Sequence, residues 1–143
     1  MQILSVDDSP EDVEFLRRAL GECRGGHILS VARDGVEAME FLHRTGQFHD
    51  AARPDIILLD LNMPRKDGRE VLAEIKADPG FRTIPVIVLT SSTSPDDVLK
   101  MYALHANCYI AKPIDFDELI SVTKAIDSFW FGIAILPEAE SRR

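Results

Sequence analysis

Apolar positions along this chain follow two alternating rhythms. Short runs rich in β-branched residues, at 2–6, 28–32, 56–59, 86–89 and 108–111, are several times apolar on successive positions, as strands covered on both faces require. Between and after them, apolar residues recur at helical spacing over 35–44, 68–77, 95–104 and 116–131. A first helix opens at Ser9-Pro10-Glu11-Asp12, where Ser9 can cap, Pro10 suits the first helical position and Asp12 completes an S-x-x-D box. Val13, Leu16 and Leu20 of that helix are expected to face the sheet. Strand alternating with helix predicts an α/β fold, a parallel five-stranded sheet between two helical layers, with the third and fourth strands central. Residues 45–54 form a longer connection. The elements predict one domain over 1–131, followed by an extension at 132–143 that is apolar to Pro137 and ends in a polar tail at 138–143.

Composition narrows the class of function. The chain has 143 residues, 45% of them hydrophobic, enough to close one substantial core. Its net charge of -8, with Lys and Arg scattered, offers no basic stripe for a phosphate backbone, so nucleic acid is not an expected partner. The N-terminus lacks a basic leader and no apolar run reaches membrane-spanning length, which predicts a cytoplasmic protein with no membrane partner. Cys23 and Cys108 lie in no disulfide or zinc-ligand spacing; both are expected to be reduced thiols, with Cys108 buried. His27, His43, His49 and His105 show no ligand spacing either, and Met63 and Met101 read as packing.

The acidic residues change the picture. Asp60 closes the run Asp55-Ile56-Ile57-Leu58-Leu59-Asp60, and a carboxylate at the end of a buried strand needs a cation, a donor or a reaction. Asp7 and Asp8 close the first strand, and the flavodoxin-like order 2-1-3-4-5 would set the first and third strands side by side. Carboxylates so close repel, and a hard cation such as Mg²⁺, which prefers oxygen ligands, answers a cluster without His or Cys. Thr90 and Lys112 follow the fourth and fifth strands at the same end of the sheet. A carboxylate nucleophile, a metal, an ammonium and a hydroxyl suit the holding of a phosphoryl group, with aspartyl phosphate as product. Singly, each residue has an ordinary explanation: helix-dipole acids, a turn, a cap, a solvated lysine. Their occurrence together at matching strand ends is what points to a site.

Val6-Asp7-Asp8-Ser9, Leu58-Leu59-Asp60-Leu61-Asn62-Met63-Pro64, Leu89-Thr90 and Tyr109-Ile110-Ala111-Lys112-Pro113 resemble the receiver domain of two-component response regulators over nearly the whole chain. The strand order 2-1-3-4-5 rests on that resemblance rather than on periodicity. It implies Asp60 as phosphoacceptor, and Mg²⁺ held by Asp8, Asp60 and the Asn62 backbone carbonyl, with Asp7 acting through water. It also implies Lys112 on the phosphoryl oxygens, a Lys112-Pro113 bond often cis in the family, and Thr90 with Tyr109 as the switch. The implied protein is not an enzyme in its own right; it assists its own phosphorylation by a sensor histidine kinase and its own dephosphorylation, and signals through the fourth helix, fifth strand and fifth helix. Arg33-Asp34-Gly35-Val36-Glu37-Ala38, Lys66-Asp67-Gly68-Arg69-Glu70-Val71-Leu72, Asn107-Cys108-Tyr109-Ile110 and Phe129-Trp130 are similar to single-domain receivers that partner bacterial and cyanobacterial phytochrome kinases. With little chain beyond residue 131, a stand-alone receiver is expected. The surplus of apolar residues on the fifth helix and extension predicts a homodimer through the signalling face.

Two other classes share some of these features. A haloacid-dehalogenase-like phosphatase also uses a strand-end aspartate with Mg²⁺ but places a second Asp two residues later, where this chain has Asn62. A phosphorylation-independent adaptor would keep the fold for binding alone.

Overall fold

The computed structural model describes residues 1–23 and 25–137; the expected polar tail at 138–143 lies outside the described residues. Five parallel strands, β1 (Gln2–Val6), β2 (Ile28–Ala32), β3 (Ile56–Leu59), β4 (Val86–Thr90) and β5 (Cys108–Ala111), form one sheet in the order 2-1-3-4-5. In register, Val6 lies opposite Leu59 and Ala32, and Thr90 opposite Ala111, so the strands finish together at one edge. Five helices connect them: α1 (Pro10–Gly21), α2 (Gly35–His43), α3 (Gly68–Ala77), α4 (Pro95–Ala103) and α5 (Phe116–Ile126). The connection after α2 contains one 3₁₀ turn, Gly46–Phe48.

Side-chain alternation along the strands divides the core into two. Leu4, Val6, Ile57, Leu59, Val86 and Val88 pack with Phe41 and Leu42 of α2, Val71, Leu72 and Ile75 of α3 and Met101 of α4. Ile3, Ile56, Leu58 and Ile87 point to the other side, where Leu16 of α1 and Ile126 of α5 cover them. β3 and β4 are buried throughout, while β2 and β5 carry half-exposed positions, as edge strands do. On α1 the buried pair is Leu16 and Ala19; Val13 and Leu20 are half-buried.

Helix starts are set by side-chain caps. Ser9, Asp34, Asp67 and Asp115 each accept a hydrogen bond from an amide in the first turn of α1, α2, α3 and α5. The end of the fifth helix departs from the pattern. α5 stops at Ile126 and a π-helical segment, Asp127–Ile133, continues it. The wider turn lets Trp130 and Phe131 both pack on the α1/α5 core, where α-helical spacing would keep only one of them in phase with Ile126. His27 adds a reason for the wider turn. Its side chain is buried, its Nε2 lies 2.6 Å from Asp127 Oδ1, and its ring sits 5.1 Å from Phe131. Cys108 is half-buried, not buried, because β5 is an edge strand; both cysteines are free, and burial pushes both thiols up. The Lys112-Pro113 bond is trans, the form an X–Pro bond favours when nothing compels the other, and Lys112 reaches the acidic cluster from it.

Gly68 shows how closely the layers meet beside Asp60. A Cβ there would stand against the Asp60 carbonyl oxygen and 2.8 Å from Leu61 Cα, both backbone and unable to yield. Gly21, at the end of α1, has open space around it. Gly68→Ala is expected to cost about 1–3 kcal/mol in urea unfolding through overpacking, while Gly21→Ala is neutral or slightly stabilising.

Candidate functional site

The strand ends bring the chemistry together. Asp7 N–H extends the ladder to the Ala32 carbonyl at 3.0 Å, and Asp60 N–H to the Val6 carbonyl at 2.9 Å, so both carboxylates leave the sheet from hydrogen-bonded positions. Asp7 is buried, and its Oδ1 accepts from the Ser9 amide at 2.9 Å. Asp60 Oδ1 accepts from the Leu61 amide at 2.8 Å, which leaves Oδ2 to face the pocket. Asp8 is exposed at the rim. One oxygen from each of Asp7, Asp8 and Asp60 lies within 4.8 Å of the others, and this oxygen-only donor set suits a hard divalent cation.

One ammonium opposes these acids. Lys112, whose backbone N–H donates a hydrogen bond to the Thr90 carbonyl at 2.7 Å, places Nζ 2.7 Å from Asp12 Oδ2, 2.8 Å from Asp7 Oδ2 and 3.3 Å from Asp60 Oδ2. Burial alone would lower the Lys112 pKa, but the hydrogen bonds it donates to Asp12 and Asp7 outweigh it and hold the group charged. Burial pushes the Asp7 carboxyl up despite the Lys112 hydrogen bond, and the charge on Asp60 adds to the rise. Asp12 is the residue that sequence reasoning assigned to a capping box instead. Its amide does bond the Ser9 hydroxyl at 3.3 Å, but the Ser9 amide is already taken by Asp7, and the Asp12 carboxylate turns to Lys112. A cavity of about 200 Å³, lined among others by Phe15, Lys112, Ile114 and Phe116, opens beside this pair.

The loop after Asp60 is clamped. Arg65, at φ 63°, donates from Nε to Asp34 Oδ2 at 2.7 Å, and the Gly35 amide donates to the Lys66 carbonyl at 2.9 Å, which ties the loop to the start of α2. Asn62 is exposed in this loop, two residues beyond Asp60. Thr90 and Tyr109 lie on neighbouring strands. Thr90 is fully buried and its hydroxyl has no hydrogen-bond partner among the described residues, which is costly for a polar group that stays unpaired. Tyr109 is half-buried and its hydroxyl donates to the Ser92 carbonyl at 2.8 Å. Ser92 Oγ and Arg69 Nη2 each bond Asp97 at 2.7 Å, joining α3, the loop before α4 and β5 in one network.

Residues 3–124 match the model of the response regulator receiver domain. The chain belongs to that family. The receiver is 46% identical over 137 residues to the response regulator Rcp1 of Synechocystis sp., with 96% of this chain and 93% of Rcp1 covered. The crystal structure of a phosphorylated cyanobacterial phytochrome response regulator, RcpA, superposes with a TM-score of 0.91 at 46% identity, covering 96% of this receiver and 98% of that chain. The Mn²⁺-bound form of Rcp1 gives a TM-score of 0.89 at 45% identity, over 96% and 99% of the two chains. This receiver is therefore related to phytochrome response regulators, within a non-enzymatic signalling family. Among its described residues no helix is long and apolar enough to cross a membrane.

The receiver's acids outnumber its local cation. Asp8 makes the cluster more negative without taking a hydrogen bond from Lys112. In metal-free buffer Asp8→Asn is expected to stabilise the fold by about 0.5 kcal/mol, an exposed charge effect, and the gain shrinks or reverses when a divalent cation is added. Thermal melts with and without the cation read this directly; equal melts for both chains in either buffer would contradict it.

Proposed function

We propose that this receiver accepts a phosphoryl group on Asp60 from the phosphohistidine of a sensor histidine kinase, the donor being a phytochrome-type kinase. The observation that carries the reading is Asp60 itself, with Oδ1 held by the Leu61 amide and Oδ2 facing Lys112 at 3.3 Å. Asp60 Oδ2 attacks phosphorus in line with the departing imidazole nitrogen; the P–N bond breaks as the P–O bond forms, and the imidazole takes up a proton. Lys112 Nζ offsets charge on the transferring oxygens. Asp8, Asp60 and the Asn62 carbonyl would hold Mg²⁺, with Asp7 acting through water; when bound, the ion neutralises charge on the phosphoryl group. The clustered oxygens of Asp7, Asp8 and Asp60 support this, as does the Mn²⁺-bound form of the related Rcp1. An orphaned Thr90 hydroxyl is ready to donate to a phosphoryl oxygen. Its movement would release the Tyr109–Ser92–Asp97 network and change the face made by α4, β5 and α5.

That face and the segment after it are the proposed output. Leu99 and Tyr102 of α4 and Phe129, Ile133 and Ile135 beyond α5 are exposed apolar side chains, which supports a homodimer through this face and the extension. We take the receiver domain as 1–131 and the extension as 132–143; the response regulator family supports a cytoplasmic location without a membrane partner, and the charge of -8 argues against a nucleic-acid partner. Phosphorylation with a labelled phospho-kinase or acetyl phosphate is expected to give alkali- and hydroxylamine-labile label in the wild type, none in Asp60→Asn, and none after Mg²⁺ is chelated. Undiminished label in either control rules the mechanism out. Light scattering is expected to show a dimer at high concentration; a monomer throughout, phosphorylated or not, removes the dimer.

A further inference from the structure

We infer that Asp12 is the positioning residue for Lys112, holding its ammonium in place while the phosphoryl group is transferred; this rests on Asp60 being the acceptor. Lys112 ends a flexible four-carbon stem with three N–H donors, and in this structure those donors meet three carboxylates, Asp12, Asp7 and Asp60. The Asp12 contact, at 2.7 Å, is the shortest of the three, and the Asp60 contact, at 3.3 Å, the longest. A cation bound by the cluster draws on Asp7 and Asp60, and a phosphoryl group takes the Asp60 oxygen that faces Lys112. Asp12 stands outside the Asp7, Asp8 and Asp60 cluster and has no such claim on it. It is the one partner that keeps Lys112 through the reaction.

The fold frees Asp12 for this task and fixes where it stands. Ser9 N–H is satisfied by Asp7 Oδ1 at 2.9 Å, so the Asp12 carboxylate does not turn back to close a capping box. Asp12 lies in the first turn of α1, a rigid element. One turn on, the Phe15 ring sits 6.1 Å from Phe116 at the start of α5, which holds α1 against the segment that carries Lys112. Lys112 is 17% exposed and Asp12 is 42% exposed, so the pair is screened on one side only and its effect is moderate.

The test compares the full chain with its Asp12→Ala, Asp12→Asn, Lys112→Ala and Asp12→Ala/Lys112→Ala forms, phosphorylated by acetyl phosphate with Mg²⁺. Asp12→Ala is expected to slow labelling of Asp60 roughly five- to tenfold, as loss of a charged hydrogen bond to a reacting group's partner does, and Asp12→Asn by less. In the Lys112→Ala background the Asp12 substitution adds nothing, because the lysine it positions is gone. In the metal-free protein, isotope-edited NMR is expected to show the Lys112 ammonium protons slowed in exchange, and lost to fast exchange in Asp12→Ala. A rate within twofold of wild type, an equal slowing in the Lys112→Ala background, or an unchanged ammonium signal overturns the inference while leaving Asp60 as acceptor. A wild-type chain that takes no label overturns the acceptor reading and this inference with it.

Discussion

Three carboxylates crowd the carboxyl edge of the sheet, and Lys112 is the cation that meets two of them. The rest of the architecture serves that balance. Asp7 and Asp60 cannot separate, because β1 and β3 are neighbours in the ladder and each aspartate amide bonds across to the next strand. Asp7 is buried and the layers close tightly behind Asp60 at Gly68, which leaves the pocket as the approach to both. Like charges held this way raise the free energy of the resting state, and whatever brings positive charge to them recovers it. In the proposed reaction a divalent cation and a transferring phosphoryl group would act on the same small set of oxygens.

The same edge of the sheet carries the residues of the proposed switch. Thr90 ends the strand between β3 and β5, and Tyr109 sits on the next strand, with its hydroxyl tied to the loop that Thr90 begins. A buried hydroxyl without a partner beside a tyrosine with one is a pair whose members are unequally satisfied. Phosphorylation would reverse that inequality. Arg69 and Ser92 on Asp97 would set the cost of moving the loop, so the proposed response would pass through ion pairs and hydrogen bonds as well as through packing.

The elements were legible in the sequence because buried parallel strands and amphipathic helices have different periods. β1, β2, β3, β5 and α3 fall where the apolar pattern put them, and β4 runs one residue further, to Thr90. The fifth helix was less legible. Its apolar pattern continues past Ile126, but the hydrogen bonding widens there because Asp127 and Phe131 meet His27, a residue that its own surroundings in sequence left without a role. Asp12 was misread for a similar reason. Its local motif offered a capping box, and the competing partner, Lys112, is 100 residues away.

Local pattern was enough for the class of fold and the short list of chemical groups: Asp7, Asp8, Asp60, Thr90 and Lys112 all lie at strand ends, and strand ends in a parallel sheet share one edge. Tertiary structure alone decided how those groups are paired. It gave Lys112 to Asp12 as well as Asp7 and Asp60, left the Thr90 hydroxyl without a partner among the described residues, joined Tyr109 to Ser92, and tied His27 to the segment after α5. Periodicity is a local property that a chain displays along its length. Pairing depends on distances of a few ångströms between side chains far apart in sequence, and those distances exist only once the sheet has closed.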